Sequence, residues 1–73
     1  MAIEVKAHIT GTVWKIQVKP GDVVTEEQPL IILESMKMEM PIEAPEAGTV
    51  DQVLVEEGQS VDEDDVVLTL RVD

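Results

Sequence analysis

Apolar residues fall in short blocks along this chain, separated by Gly, Pro and acidic residues. After Gly11, Ile16 and Val18 keep a period of two, and after Gly48, Val53 and Val55 do the same, which predicts strands with one face on a core. A turn follows each, Lys19-Pro20-Gly21-Asp22 or Glu56-Glu57-Gly58-Gln59, with a Gly available for a left-handed position. Next come a short strand around Val23-Val24 or Ser60-Val61 and a polar connection, Thr25 to Gln28 or Asp62 to Asp65. Each unit closes on a nearly continuous apolar run, Leu30 to Leu33 or Val66 to Leu70, of the kind expected for strands covered on both faces. Ile3 to Ala7 and Met38 to Ile42 supply two further strands. No stretch sustains a helical period with caps; Thr25 to Gln28 has room for a single turn.

These blocks form an ungapped internal repeat, in which Gly11 to Leu33 lies over Gly48 to Leu70. Gly11-Thr12-Val13 matches Gly48-Thr49-Val50, and Gly21, Val24, Glu26 and Leu33 match Gly58, Val61, Glu63 and Leu70. One copy cannot bury its apolar face alone, so two copies should share one core around a pseudo-twofold axis. The expected fold is all-β: eight short strands in two four-stranded sheets, a flattened barrel or sandwich made as a single domain over residues 1–73.

Between the runs Leu30 to Leu33 and Met38 to Ile42 lies Glu34-Ser35-Met36-Lys37-Met38-Glu39-Met40, at the middle of the chain. There is room only for a tight turn on Met36-Lys37. Primed hairpin turns want Gly or Asn at positive φ, so this turn is either strained or of another type. Lys37 is expected on the pseudo-twofold axis, at one tip. An exposed lysine is ordinary, but Met36 and Met38 beside it are not, because methionine suits adaptable recognition surfaces better than a bare loop. Met40, of the same parity, is expected in the core. Trp14, the sole aromatic residue, has Asp51 as its repeat counterpart and should be only partly buried, in a structural role.

Composition removes most catalytic classes. Without Cys there is no disulfide or thiolate metal site, and a reducing cytoplasm is the default expectation. His8 is a single histidine without a partner and is expected on the surface, with no metal or catalytic role. The cluster Asp62 to Asp65 lacks the spaced ligands and central Gly of a calcium loop and is expected to be a solvated connection. There is no Ser/His/Asp set and no phosphate-binding Gly loop, so no enzyme is expected. No apolar stretch is long enough to span a membrane. A formal net charge of -11 repels phosphate backbones and argues against nucleic acid.

Glu34-Ser35-Met36-Lys37-Met38-Glu39 resembles the Glu-Ala/Ser-Met-Lys-Met signature of biotinyl domains, the carrier modules of biotin-dependent carboxylases. The resemblance extends to Gly11-Thr12-Val13, Gly21-Asp22, Gln28-Pro29-Leu30, Ile42-Glu43-Ala44-Pro45, Gly48-Thr49-Val50 and Glu57-Gly58. It implies the barrel-sandwich hybrid fold, covalent biotin on Lys37, and Met36 and Met38, with Glu34 and Ser35 beside them, as the segment read by biotin protein ligase. It further implies a carrier shuttling carboxylate between a biotin carboxylase and a carboxyltransferase that acts on an acyl-CoA such as acetyl-CoA. Lipoyl domains of dehydrogenase complexes share the fold, but their lysine usually lies between Asp and Ala. An unmodified β module for assembly is the remaining alternative.

The chain departs from the family where Ala7-His8-Ile9-Thr10-Gly11 replaces Ala-Pro-Met-Pro-Gly. It has no residues for the protruding loop or the Pro/Ala-rich extension of some acetyl-CoA carboxylase subunits. The likeness is therefore to the short stand-alone biotin/lipoyl attachment proteins of bacteria, expected to be monomeric.

The charge of -11 also repels itself within so small a fold. Salt that shortens the screening length should raise the melting temperature; an unchanged melting temperature across a salt titration would count against this.

Overall fold

A computed structural model describes residues 1–72. Eight strands follow one another: β1 (Ala2–Lys6), β2 (Gly11–Ile16), β3 (Val23–Val24), β4 (Pro29–Ser35), β5 (Met38–Glu43), β6 (Gly48–Val53), β7 (Ser60–Val61) and β8 (Val66–Arg71). They form two four-stranded sheets, in the orders β1-β8-β6-β3 and β5-β4-β2-β7, with every pairing antiparallel. The all-β expectation and the strand count hold. Among the described residues no helix is long and apolar enough to cross a membrane.

The repeat is reproduced bond by bond. Gly21 and Gly58 both take positive φ, 95° and 91°, as do Glu27 and Asp64, at 71° and 75°. In one turn the Asp22 side chain accepts from the Lys19 N–H; in the other, Gln59 accepts from Glu56. The polar connections match too: Gln28 Oε1 accepts from the Thr25 N–H at 3.0 Å, and Asp65 Oδ2 from the Asp62 N–H at 2.8 Å. Asp62 to Asp65 thus forms a self-capped turn. Each sheet takes strands from both copies. β3 crosses to pair with β6 and β7 crosses to pair with β2, so neither half can close its core without the other.

The long apolar runs have a different cause from the one expected. Pairing slips by one residue between Pro29 and Ile31 on β4, and at the equivalent place on β8, where Val5 pairs with Leu68 and Lys6 with Val66. A bulge of this kind sets two residues against one and turns consecutive side chains inward. Leu30 with Ile31, and Val67 with Leu68, are all fully buried, while Ile32 and Thr69 are half-buried. The strands are one-sided, and bulges make them read as continuous. The core they build with Val13, Val24, Leu33, Val50 and Leu70 is wholly apolar, with no buried charged or polar side chain among the described residues. Val18 and Val55 are buried as expected, though both lie beyond the ends of their strands, whereas Ile16 and Val53 are half-buried against the core.

Two expectations are corrected. Met40 is half-buried and does not pack against the core cluster, because it lies toward the tip of β5, an edge strand with a neighbour on one side only, although its partner Leu33 on β4 is fully buried. Lys37 is not on the pseudo-twofold axis. The Ser35–Met38 pair that closes the turn is matched by the Val72 N–H donating to the Met1 carbonyl at 2.7 Å. The axis therefore exchanges the hairpin with the paired termini, and each forms its own end of a molecule measuring 36 × 17 × 17 Å.

Gly11 and Gly48 open their strands for a steric reason. A Cβ on Gly11 would stand 2.8 Å from the Glu34 carbonyl oxygen, and one on Gly48 would stand 2.5 Å from that of Arg71. Both obstacles are backbone within a ladder and cannot step aside. Gly48→Ala should cost roughly 1–3 kcal/mol as overpacking, and Gly11→Ala somewhat less. At about 4–8 °C per kcal/mol in a domain of this size, differential scanning calorimetry will resolve both; wild-type melting of Gly48→Ala would refute the steric reading.

Candidate functional site: the hairpin lysine

β4 and β5 pair from Pro29–Glu43 to Ser35–Met38, and the two residues left over, Met36 and Lys37, make the turn. Their φ values are 52° and 66°. Positive φ at both central residues is the mark of a type I′ turn, whose twist matches that of the flanking strands. Neither residue is Gly or Asn, so the turn is the strained alternative. Left-handed backbone costs a residue with a Cβ about 1–2 kcal/mol. The ladder imposes that cost: β4 is held on one side by β5 and on the other by β2, through Thr12–Glu34 and Val13–Leu33. Gly11 lets β2 lie close under the Glu34 carbonyl, at the root of the hairpin.

The side chains of the turn are presented outward. Met36 is 91% exposed and Met38 63%, and Lys37 is exposed between them. No hydrogen bond or ion pair among the described residues engages Lys37; the one ion pair joins Arg71 to Asp51 at 3.6 Å, in the other sheet. Along β5 the inward-facing positions grade from buried Ile42 through half-buried Met40 to exposed Met38. The hairpin thus leaves the core gradually and carries a free amine at its apex. Glu34 is exposed opposite Glu39, and Ser35 is half-buried opposite Met38. The structure gathers the five residues singled out in sequence, Glu34, Ser35, Met36, Lys37 and Met38, into this turn and its first two strand pairs.

The other candidates lie apart. His8 is exposed beyond β1, and Trp14 lies on β2 where pairing with β4 slips, 46% exposed. Its counterpart Asp51 occupies the matching slip between β6 and β8. Among the described residues no three His, Cys, Asp or Glu side chains are grouped to hold a metal. A lysine amine fits covalent attachment of a carboxylic acid as an amide, and this one offers a clear approach: an apex position, no competing partner and flanking apolar side chains.

Comparison with known proteins identifies the family. Residues 1–70 match the profile of the biotin/lipoyl family, described as "Biotin-requiring enzyme". The chain is 47% identical over 66 residues to a biotin/lipoyl attachment protein of Bacillus subtilis (strain 168), covering 90% of each. It is 48% identical over 64 residues to a biotin carboxyl carrier protein of Streptococcus mutans, covering 88% of this chain and 49% of that one, and so spans about half the streptococcal protein. Its fold superposes, with a TM-score of 0.90 and 33% identity, on part of a single-chain, multi-domain long-chain acyl-CoA carboxylase, covering 99% of this chain and 7% of that one. In fold, in the matched profile and in the names of its relatives, the chain belongs to the biotin/lipoyl family as a carrier domain, not a catalyst.

Proposed function

We propose that this protein is a biotin carboxyl carrier, biotinylated on Lys37 by a biotin protein ligase. The observation that carries the reading is the unpartnered Lys37 at the apex of a strained two-residue turn, between two exposed methionines. Forming the amide takes two protons and the charge from the Nζ ammonium; ATP activates the biotin carboxylate, its pyrophosphate leaves first, and AMP departs with the carboxylate oxygen when Nζ attacks the acyl carbon. The formal charge of the chain then moves from -11 to -12, one positive charge being lost. Met36 and Met38 form the flexible apolar handle by which the ligase tells this lysine from Lys6, Lys15 and Lys19, none of which has a methionine beside it. Glu34 and Ser35 shape the stem from which the turn is offered.

Biotin held there supplies the chemistry of carrying carboxylate, and the protein supplies placement. The stiff hairpin aims the Lys37 side chain beyond the end of the sheets. The amine has no structural contacts to lose on modification, and its extended side chain moves freely past a fixed stem. Tethering in this way replaces diffusion of a free cofactor with a high effective concentration at each partner. The partners are a biotin carboxylase and a carboxyltransferase, whose acceptor we assign to the acyl-CoA class on the strength of the acyl-CoA carboxylase neighbour. Carboxyl transfer from the loaded chain to acetyl-CoA, with pyruvate as the control acceptor, tests that assignment.

Incubation with biotin, ATP and a biotin protein ligase should add one biotinyl group to the wild type and none to Lys37→Ala, read by intact mass. Lys37→Ala should melt within about 0.5 kcal/mol of wild type, since the side chain is exposed and makes no hydrogen bond or ion pair among the described residues. An adduct on Lys37→Ala would refute the site. Met36→Gly separates strain from recognition. Relief of the left-handed cost, less the entropy of Gly, should stabilise the fold by up to about 1 kcal/mol, while ligation slows. Ligation of Met36→Gly at the wild-type rate would remove Met36 from the recognition handle.

A further inference from the structure

The internal repeat shows which surface residues the fold itself requires, because every position in one sheet has a counterpart in the other. On the outer face of the β5-β4-β2-β7 sheet, Pro41 pairs with Ile32, and Ile32 lies opposite Trp14 and Lys15, the two residues set against it where β2 slips. Ile31 and Leu33 point inward, so Ile32 points out; it is half-buried and is not among the apolar residues packed on the core. Trp14 and Pro41 are exposed. The counterparts of Trp14, Ile32 and Pro41 on the other sheet are Asp51, Thr69 and Glu4, in the same pairing. Folding therefore accepts polar residues at all three places. Single exposed apolar residues need no explanation, but three adjacent ones whose counterparts are all polar do.

The next outward-facing pair toward the tip breaks the symmetry again. Glu34 stands directly opposite Glu39, an arrangement that destabilises a sheet. The counterparts are Arg71 and Ala2, and Arg71 is ion-paired with Asp51. Neither Glu34 nor Glu39 joins an ion pair among the described residues. The sheet that bears the hairpin thus presents an apolar centre with an uncompensated acidic border on the side of Lys37, and its twin presents neither.

We infer that this face is the docking surface for the biotin carboxylase, and that the enzyme meets it with an apolar depression bordered by Lys or Arg. The inference rests on the reading of Lys37 as the biotin site. A ligase must act at the Lys37 amine and reads the turn, whereas Pro41 lies four residues back, about 13 Å along the strand. From there an enzyme holds the body of the domain while the modified side chain points past the tip into its active site. Charge suits this partner, because ATP and bicarbonate are anions and an enzyme that binds them is cationic at its mouth, complementary to Glu34 and Glu39. Acyl-CoA is an anion as well, so an equal rise in the carboxyltransferase's KM for the variants described next would overturn the assignment to the biotin carboxylase.

The test transplants the twin surface: Trp14→Asp/Ile32→Thr/Pro41→Glu, with the uncharged Trp14→Thr/Ile32→Thr as a second variant that separates lost apolar contact from added charge. The uncharged variant should match wild type in circular dichroism and melting; the charged one should keep the spectrum but melt lower, because its carboxylate at position 14 would face Glu34 where Asp51 faces Arg71. In both, biotinylation of Lys37 should proceed at the wild-type rate. With biotin carboxylase from the same cell, the KM for the biotinylated chain should rise at least tenfold with kcat within twofold, and direct binding of the unmodified chain should weaken in parallel. Unchanged KM and binding in the folded variants would overturn the inference, and so would ligation slowed as much as carboxylation, which would hand the face to the ligase. A wild-type chain that takes no biotin on Lys37 would instead remove the carrier reading itself, and that is seen by mass before any carboxylase is added.

Discussion

The turn at Met36-Lys37 exists because the ladder beneath it leaves no other solution. Six residue pairs join β4 to β5, and the last of them leaves only two residues to reverse the chain. The twist of the strands then demands positive φ at both, and the burial of Ile31, Leu33 and Ile42 fixes the register, since a one-residue slip would turn those side chains to water. The local cost is met by packing elsewhere, which is the usual way that strain persists at a functional site. What results is a lysine whose backbone is set to within the stiffness of a sheet although its side chain is exposed and has no polar partner among the described residues.

Duplication explains how so small a chain supports this. Strand exchange between the copies lets 72 described residues enclose an apolar core without a disulfide or, among those residues, a helix. It also makes two equivalent ends, one a closed hairpin and the other the paired termini. Function enters where the copies differ. The hairpin end carries Met36, Lys37 and Met38, and the sheet leading to it carries Trp14, Ile32, Pro41, Glu34 and Glu39, where the twin sheet carries Asp51, Thr69, Glu4, Arg71 and Ala2.

Much of this was legible in the sequence, for reasons that differ by element. The strands and their number were readable because Gly, Pro and acidic residues punctuate them, and the repeat could be aligned without gaps. Lys37 stood out as a candidate because two methionines at a turn are chemically out of place, and its place in the two-residue turn was readable from the runs on either side. The bulges at Leu30 and Val67 were not. A bulge and a two-sided strand both produce adjacent apolar residues, and only the pairing distinguishes them. Met40 was misplaced because parity tells which way a side chain points and not how far the core extends. The place of the pseudo-twofold axis was misjudged for a related reason: the midpoint of a duplicated sequence is where the copies join, and the operation carries that junction onto the termini.

The central claim is that one lysine in this chain is built to be modified. Peptide mapping by tandem mass spectrometry of the protein isolated from the cell that makes it tests that claim most directly. A biotinyl group on Lys37 and on no other of its lysines is the predicted result. A bare Lys37, or a lipoyl group there, would contradict it.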